Sequence, residues 1–371
     1  MILDPLIGGI AMGCIYSLIA LGYNMLIRAM NLLHFAQGEV MMVGALAGVT
    51  LVSVLHIPYL AAIPLIMALG AALSLGLDTF AYRPVRRRNV PVINLIIATL
   101  GVSILLSNAA ILIWGAEPIR YPRIYGSDAL LLGPVRIPPQ FLAPLVVGGL
   151  LMVGLQIFFA RSLTGVAMRA AAQDPEAARL MGIDIDRMIR YTFAISGAMG
   201  GAAGALLGPI IFASFNMGEV IGIKAFVAAT LGGLGSMPGA MVGGILFGVI
   251  ETFGALFISS GYKDALGYAV MIAILLVAPS GLFGRRARAP PPSCARPGRP
   301  PPRDSLAAAP ALFPARGRPR ARLCGAGPRA AAAGGFARSG ARLRRRAARR
   351  SARGRPGSGA TSPGCRRAPA R

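Results

Sequence analysis

Windows of about twenty mainly apolar residues recur along this chain, and no other feature limits its fold so much, because a helix of that length crosses a bilayer core about 30 Å thick. They run over Leu6–Ile27, Gly38–Leu55, Tyr59–Phe80, Val92–Trp114, Phe141–Ala160, Tyr191–Ser214, Met237–Phe257 and Tyr262–Phe283, and Val220–Leu234 is apolar but short. Backbone groups in lipid must be paired within their own segment, so such windows predict helices and not open strands. The expected fold class is all-α, a polytopic transmembrane helical bundle of eight or nine spans. Composition agrees: 14% of residues are charged, against about 25% in ordinary soluble domains. No cleavable signal is expected, because Asp4 stands where a signal's positive charge would be.

The formal net charge of +25 would suggest a nucleic-acid partner if it were spread along the chain. It is not. Residues 287–371 hold 21 arginines, no lysine and one acid, Asp304. Two domains of different character follow: a membrane body over residues 1–286 and a low-complexity tail over residues 287–371. A tail built of Arg, Ala, Pro and Gly cannot bury a core. It reads either as a disordered basic arm or as a GC-rich gene translated out of frame past about Arg286, since those four residue types share GC-rich codons. A membrane-tethered nucleic-acid binder would rest on this tail alone, and no nucleic-acid partner is expected for the body. Cys294, Cys324 and Cys365 fall in the tail and Cys14 lies alone in an apolar window, at spacings that fit no metal or disulfide framework. No metal and no cofactor are expected.

Basic residues near span ends favour the cytoplasmic side. Three clusters mark that side: Arg83, Arg86, Arg87 and Arg88; Arg161, Arg169, Arg179, Arg187 and Arg190; and Arg285 with Arg286. Counting back places the N-terminus and the connection 115–140 outside, which requires an odd number of crossings. Nine spans satisfy this, as do eight and a re-entrant piece.

Spanning helices associate through small residues, because lipid supplies no hydrophobic drive between them. Gly9 and Gly13, Gly44 and Gly48, Gly200, Gly204 and Gly208, and Gly244 and Gly248 all recur at four-residue spacing, which predicts close helix packing. A further string repeats: FAQGEV over Phe35–Val40 and FNMGEV over Phe215–Val220. The derived orientation puts the two copies on opposite sides of the membrane, as an inverted repeat requires, and such repeats enclose the solute route between their halves. Gly38, Glu39, Gly218 and Glu219, with Asn31 and His34 in the first connection, are therefore candidate pathway residues. Helix capping is the competing reading for both acids, and a satisfied loop histidine the competing one for His34. Glu251 is the one acid clearly within a late span, Lys224 borders the short one, and no chain of Asp, Glu and His suggests an ion relay.

One polar string breaks the apolar body. In QDPEAARLMG, Asp174 suits an N-cap, Pro175 the first helical position, Glu176 the positive helix end and Gly182 a left-handed close. The string predicts a two-turn helix over Pro175–Met181, with Ala177, Leu180 and Met181 as its apolar face. So short a helix is marginal in water by itself, and either the membrane body or a groove on a partner must hold it. No GxxxxGK[ST] phosphate loop occurs, so energy for transport would arrive from another subunit.

Glu176, Ala177 and Ala178, three further residues and Gly182 resemble the cytoplasmic EAA loop of ABC-importer permeases. The flanks SLTGVAMRAAAQDPEAARLMGID, with GCIYSLIALGYNML, NLLHFAQGE, GGLGSMPGAMVGG and PSGLFGRR, are similar to the branched-chain amino acid permease family over residues 1–286 and not in the tail. The resemblance implies a multi-pass bacterial inner-membrane subunit, not an enzyme, forming half of a transport pathway. It implies as partners a second homologous permease, two ABC ATPase subunits, a periplasmic solute-binding protein and membrane lipid. Solutes would be branched-chain amino acids, related amides or short acids. Asp174, Pro175, Glu176, Ala177, Ala178, Leu180 and Gly182 would couple the chain to the ATPases. One departure from the family stands out: Gln37 precedes Gly38 where a histidine is common, which leaves the role of His34 open. A sugar or nucleoside permease is the alternative within the class, and an ion-coupled carrier or a channel the alternative outside it.

Overall fold

A computed structural model describes residues 3–30, 34–88, 91–122, 130–132, 135–257, 263–277 and 281–283. Asn31, the last basic pair and the whole tail lie outside the described residues. Residues 1–293 form one compact unit, distinct from residues 294–371.

The body is helical. In chain order it contains α1 (Leu3–Met30), α2 (Gln37–Ser53), α3 (Tyr59–Leu77), α4 (Arg83–Arg87), α5 (Val92–Trp114), α6 (Gly149–Arg161), α7 (Leu163–Gln173), α8 (Pro175–Leu180), α9 (Ile185–Leu207), α10 (Met217–Gly232), α11 (Met237–Phe257) and α12 (Lys263–Val277). One short antiparallel hairpin, β1 (Leu130–Leu132) with β2 (Val135–Ile137), interrupts the helical pattern in the connection expected outside. Five segments are long and apolar enough to cross a membrane among the described residues: Leu3–Met30, Tyr59–Arg87, Ile93–Trp114, Pro139–Arg161 and Met237–Phe257. The short apolar window becomes α10, and α9 begins earlier than the window at Tyr191 suggested. Asp184 is the reason: its carboxylate accepts from Arg187 N at 3.2 Å and caps the helix upstream of the apolar run.

α1 occupies the centre, with residues 14 to 26 all buried. It packs along α11, and α3 packs along α9 in the same way. The glycine pairs explain how. A Cβ on Gly13 would lie 2.6 Å from Ile245 Cα, and one on Gly248 would meet the Gly13 backbone, so the two four-residue motifs form one interface. Gly70 of α3 likewise faces Gly197 of α9. Without side chains between them the backbones approach closely, and dispersion contacts replace the missing hydrophobic drive. α3 and α5 instead turn apolar residues outward, among them Leu60, Ile97, Ile104 and Leu112, as a surface that meets lipid or protein would.

Polar side chains pin the places where helices end. Asn24 accepts from Gly235 N at 3.1 Å and donates to Ser236 O at 3.1 Å, clasping the α10–α11 turn, where Gly233 and Gly235 have φ of 103° and 81°. Gln37 donates to Ser196 O at 3.0 Å and accepts from Ser196 Oγ at 3.0 Å, which ties the start of α2 to α9. A π-helical turn over Asp78–Tyr82 joins α3 to α4 and buries Asp78, which accepts from Arg86 at 3.1 Å. Asp186 at the start of α9 lies 3.8 to 3.9 Å from Arg83, Arg86 and Arg87, so two of the three basic clusters meet at one end of the bundle.

Lys224 and Glu251, which the sequence offered as separate charges, form a buried ion pair at 2.7 Å between α10 and α11. Removing one partner of such a pair strands the other charge, at a cost of about 3–5 kcal/mol, whereas replacing both by apolar groups costs far less. Lys224→Met is therefore expected to lower the thermal midpoint of the detergent-solubilised protein sharply, and Lys224→Met with Glu251→Leu to recover most of the loss. Equal midpoints for the single and double variants would contradict this.

Candidate functional site

The two copies of the repeated string, expected on opposite sides of the membrane, instead meet at one depth, because the backbones of α2 and α10 touch where each helix begins. Gly38, in the first turn of α2, and Gly218, in the first turn of α10, are so close that a Cβ on Gly38 would collide with the Gly218 carbonyl oxygen. Only hydrogen fits between the two helix starts. The contact brings Glu39 and Glu219 to one place from positions 180 residues apart.

Beside this crossing lies a cavity of about 500 Å³. His34, Glu39, Gly218 and Glu219 line it, whereas Gly38 stands behind the wall as a packing residue. Glu39 is 2% exposed. Its Oε1 accepts from Ser103 Oγ at 3.2 Å, while its Oε2, turned toward Gly218, has no hydrogen-bond partner among the described residues. His34 is buried edge-on against the rings of Tyr82 and Phe193, at 5.1 and 5.5 Å between centroids, and neither ring nitrogen has a described partner. Aromatic packing holds it in place.

Sequence reasoning missed the contribution of α5. Ser103, Ser107 and Asn108 line the cavity from that helix, joined by Tyr23 of α1 and Phe226 of α10. The signal was present as three polar residues within six positions of a mostly apolar span. Positions 103 and 107 share one helix face, and that spacing would have marked it.

The second candidate lies at the other sequence motif. α8 spans Pro175–Leu180, one residue shorter than expected, with Met181 as its C-cap. Asp174 Oδ1 accepts from Glu176 N and Ala177 N, both at 3.0 Å. Gly182 closes the turn at φ 83°. Of the expected apolar face, Leu180 is 89% exposed and Met181 83% exposed. Ala177 is exposed as well, and Ala178 is the residue that packs inward. The rod therefore leans on its own chain through one alanine and presents its large apolar side chains outward.

Among the described residues no group of three or more His, Cys, Asp or Glu side chains is arranged to hold a metal ion.

Several apolar membrane-length helices packed through glycine, an open cavity lined by carboxylates and a capped rod define a multi-pass membrane permease. Residues 6–275 match the model of the branched-chain amino acid transport system permease component, and the chain belongs to that family. It is 36% identical over 299 residues to the high-affinity branched-chain amino acid transport system permease protein BraD of Pseudomonas aeruginosa, covering 76% of this chain and 96% of BraD. It is 35% identical over 301 residues to LivH, the corresponding permease protein of Escherichia coli K12, with the same coverage. It is 32% identical over 296 residues to a probable branched-chain amino acid permease protein LivH of Methanocaldococcus jannaschii, covering 75% and 91%. Membership makes this chain a transport component and not an enzyme.

Proposed function

We propose that this chain forms half of a transmembrane pathway for branched-chain amino acids, completed by a second, similar permease and moved by ATPase subunits that grip α8 from the cytoplasm. A soluble binding protein delivers the solute to the opposite face. The observation that carries the reading is α8 itself: a capped rod whose Leu180 and Met181 stand in solvent at 89% and 83% exposure. Large apolar side chains displayed together on a rigid element suit a groove on another protein. The neighbouring arginines of α4 and the start of α9 support a cytoplasmic position for this end.

In this reading, movement of α8 reaches the bundle through α7 and α9, and the bundle alternates access to the cavity between Glu39 and Glu219. An inverted repeat accounts for that cavity. α1, α2 and α3 correspond to α9, α10 and α11, and the neighbours exchange accordingly: α1 lies on α11 and α9 on α3, while α2 lies on α9 and α10 on α1. α2 and α10 then meet each other across the pseudo-axis at Gly38 and Gly218. Beside the five long segments, α2, α9, α10 and α12 count as crossings or re-entrant pieces, in keeping with the eight or nine spans proposed from the sequence.

The test is assembly. Co-expressed with the neighbouring permease and ATPase genes, the wild-type chain is expected to retain the ATPases through purification, and Leu180→Asp with Met181→Asp to release them while both permeases stay together. Full retention of the ATPases by the double variant would overturn the docking assignment.

A further inference from the structure

The cavity beside the repeat crossing has an unbalanced charge. Glu39 and Glu219 both line it, and no lysine or arginine does. Glu39 is the important one, because it is 2% exposed and its Oε2 is left without a hydrogen bond while Ser103 occupies Oε1. A buried carboxylate oxygen without a partner carries a desolvation penalty that a bound cation would offset. Ser107 lies beside the same carboxylate, and Asn108 lines the wall nearby. His34 and Tyr23 complete the polar lining, and Leu100, Ile104, Ile223 and Phe226 supply apolar surface.

We infer that this cavity is a waypoint selective for ammonium groups, in which the Glu39 carboxylate receives the protonated amine of a passing amino acid and the α5–α10 wall receives its apolar side chain. The inference rests on the cavity being part of the solute route, and it adds the chemical feature that the permease itself recognises. An ammonium has three donors and no acceptor. Glu39 supplies one charged acceptor group, and Ser103, Ser107 and Asn108 supply neutral ones within the same wall. A volume of about 500 Å³ lies within the range of about 300–1,000 Å³ common for small-molecule sites. Selection at this point would reject a deaminated acid even after its delivery, because its carboxylate would face Glu39 and Glu219 with no cation between them.

Two measurements test this on the complete transporter with its sister permease, ATPases and binding protein in proteoliposomes. In the first, Glu39→Gln keeps the size of the side chain and removes its charge. Uptake of labelled leucine is expected to fall at least tenfold while the ATPases still co-purify, and Glu39→Asp to restore part of it. Wild-type uptake by Glu39→Gln overturns the inference. The second does not depend on that variant folding. With the native cysteines replaced, Ile223→Cys is labelled by a cationic and by an anionic methanethiosulfonate of similar size. The cationic reagent is expected to react at least tenfold faster, and leucine with its binding protein to slow it. Equal rates, or faster reaction of the anion, overturn the inference. Neither labelling result depends on ATPase docking, so failure here is distinguishable from failure of the transport assignment, which loss of ATPase co-purification by the wild type would reveal.

Discussion

Gly248→Leu is expected to leave almost no correctly assembled protein, with monodisperse yield in detergent reduced more than tenfold. A Cβ at this position would already collide with the Gly13 backbone, and leucine adds three further carbons where α1 and α11 touch. Neither helix has a soft side chain there to move aside, so the whole interface must open, and with it go the dispersion contacts that hold a lipid-embedded pair together. The central position of α1 makes the loss global, because α1 also packs against α9 and α10. Gly154→Ala is the control. No atom lies within 4 Å of a Cβ at that helical position, and alanine favours helix by about 1 kcal/mol over glycine. Its yield should match or exceed that of the wild type. A normal yield for Gly248→Leu would mean that the α1–α11 crossing is not set by backbone contact.

Gly182→Pro is expected to abolish leucine uptake, by at least tenfold, with the protein still inserted and folded. Gly182 holds φ at 83° and its N–H donates to Arg179 O at 3.0 Å, while Ile183 N reaches back to Ala178 O at 3.0 Å. Proline fixes φ near −65° and has no N–H, so it cannot close this turn. The rod would point elsewhere or unwind. Asp174→Ala attacks the opposite end, where one carboxylate oxygen serves two backbone N–H groups. Losing such a cap costs about 1 kcal/mol, which matters for a helix of six residues that is marginal alone. Asp174→Asn keeps the cap and should keep most of the uptake. The membrane body makes little contact with α8 beyond Ala178, so detergent stability should not change in any of the three variants. Uptake near the wild-type rate in Gly182→Pro would show that α8 does not transmit the motor's work.

Much of this architecture can be read before any coordinates. The apolar windows located nearly all the long helices, because the bilayer sets a length and forbids unpaired backbone, and both constraints are local. Caps are local as well, so Asp174, Pro175 and Gly182 marked the rod to within one residue at its C-terminal end. Where the local signals competed, the windows erred: α9 starts at the Asp184 cap and not at the first apolar residue.

From the chain alone came the membrane class, the capped rod, the glycine contact surfaces and the equivalence of Gly38–Glu39 and Gly218–Glu219 as copies of one string, though not their contact, all of which depend on residues near one another in sequence or on a repeated string. Tertiary structure alone decided that Glu39 is buried with one oxygen unserved, that α5 supplies Ser103 and Ser107 to it, that Lys224 pairs with Glu251 and that Leu180 faces outward. These are questions of which helix face meets which, and a helix that is apolar all round gives no preferred face. Only the mutual fit of glycine-lined backbones selects one rotation of each helix, and that fit exists only once the partners are in place.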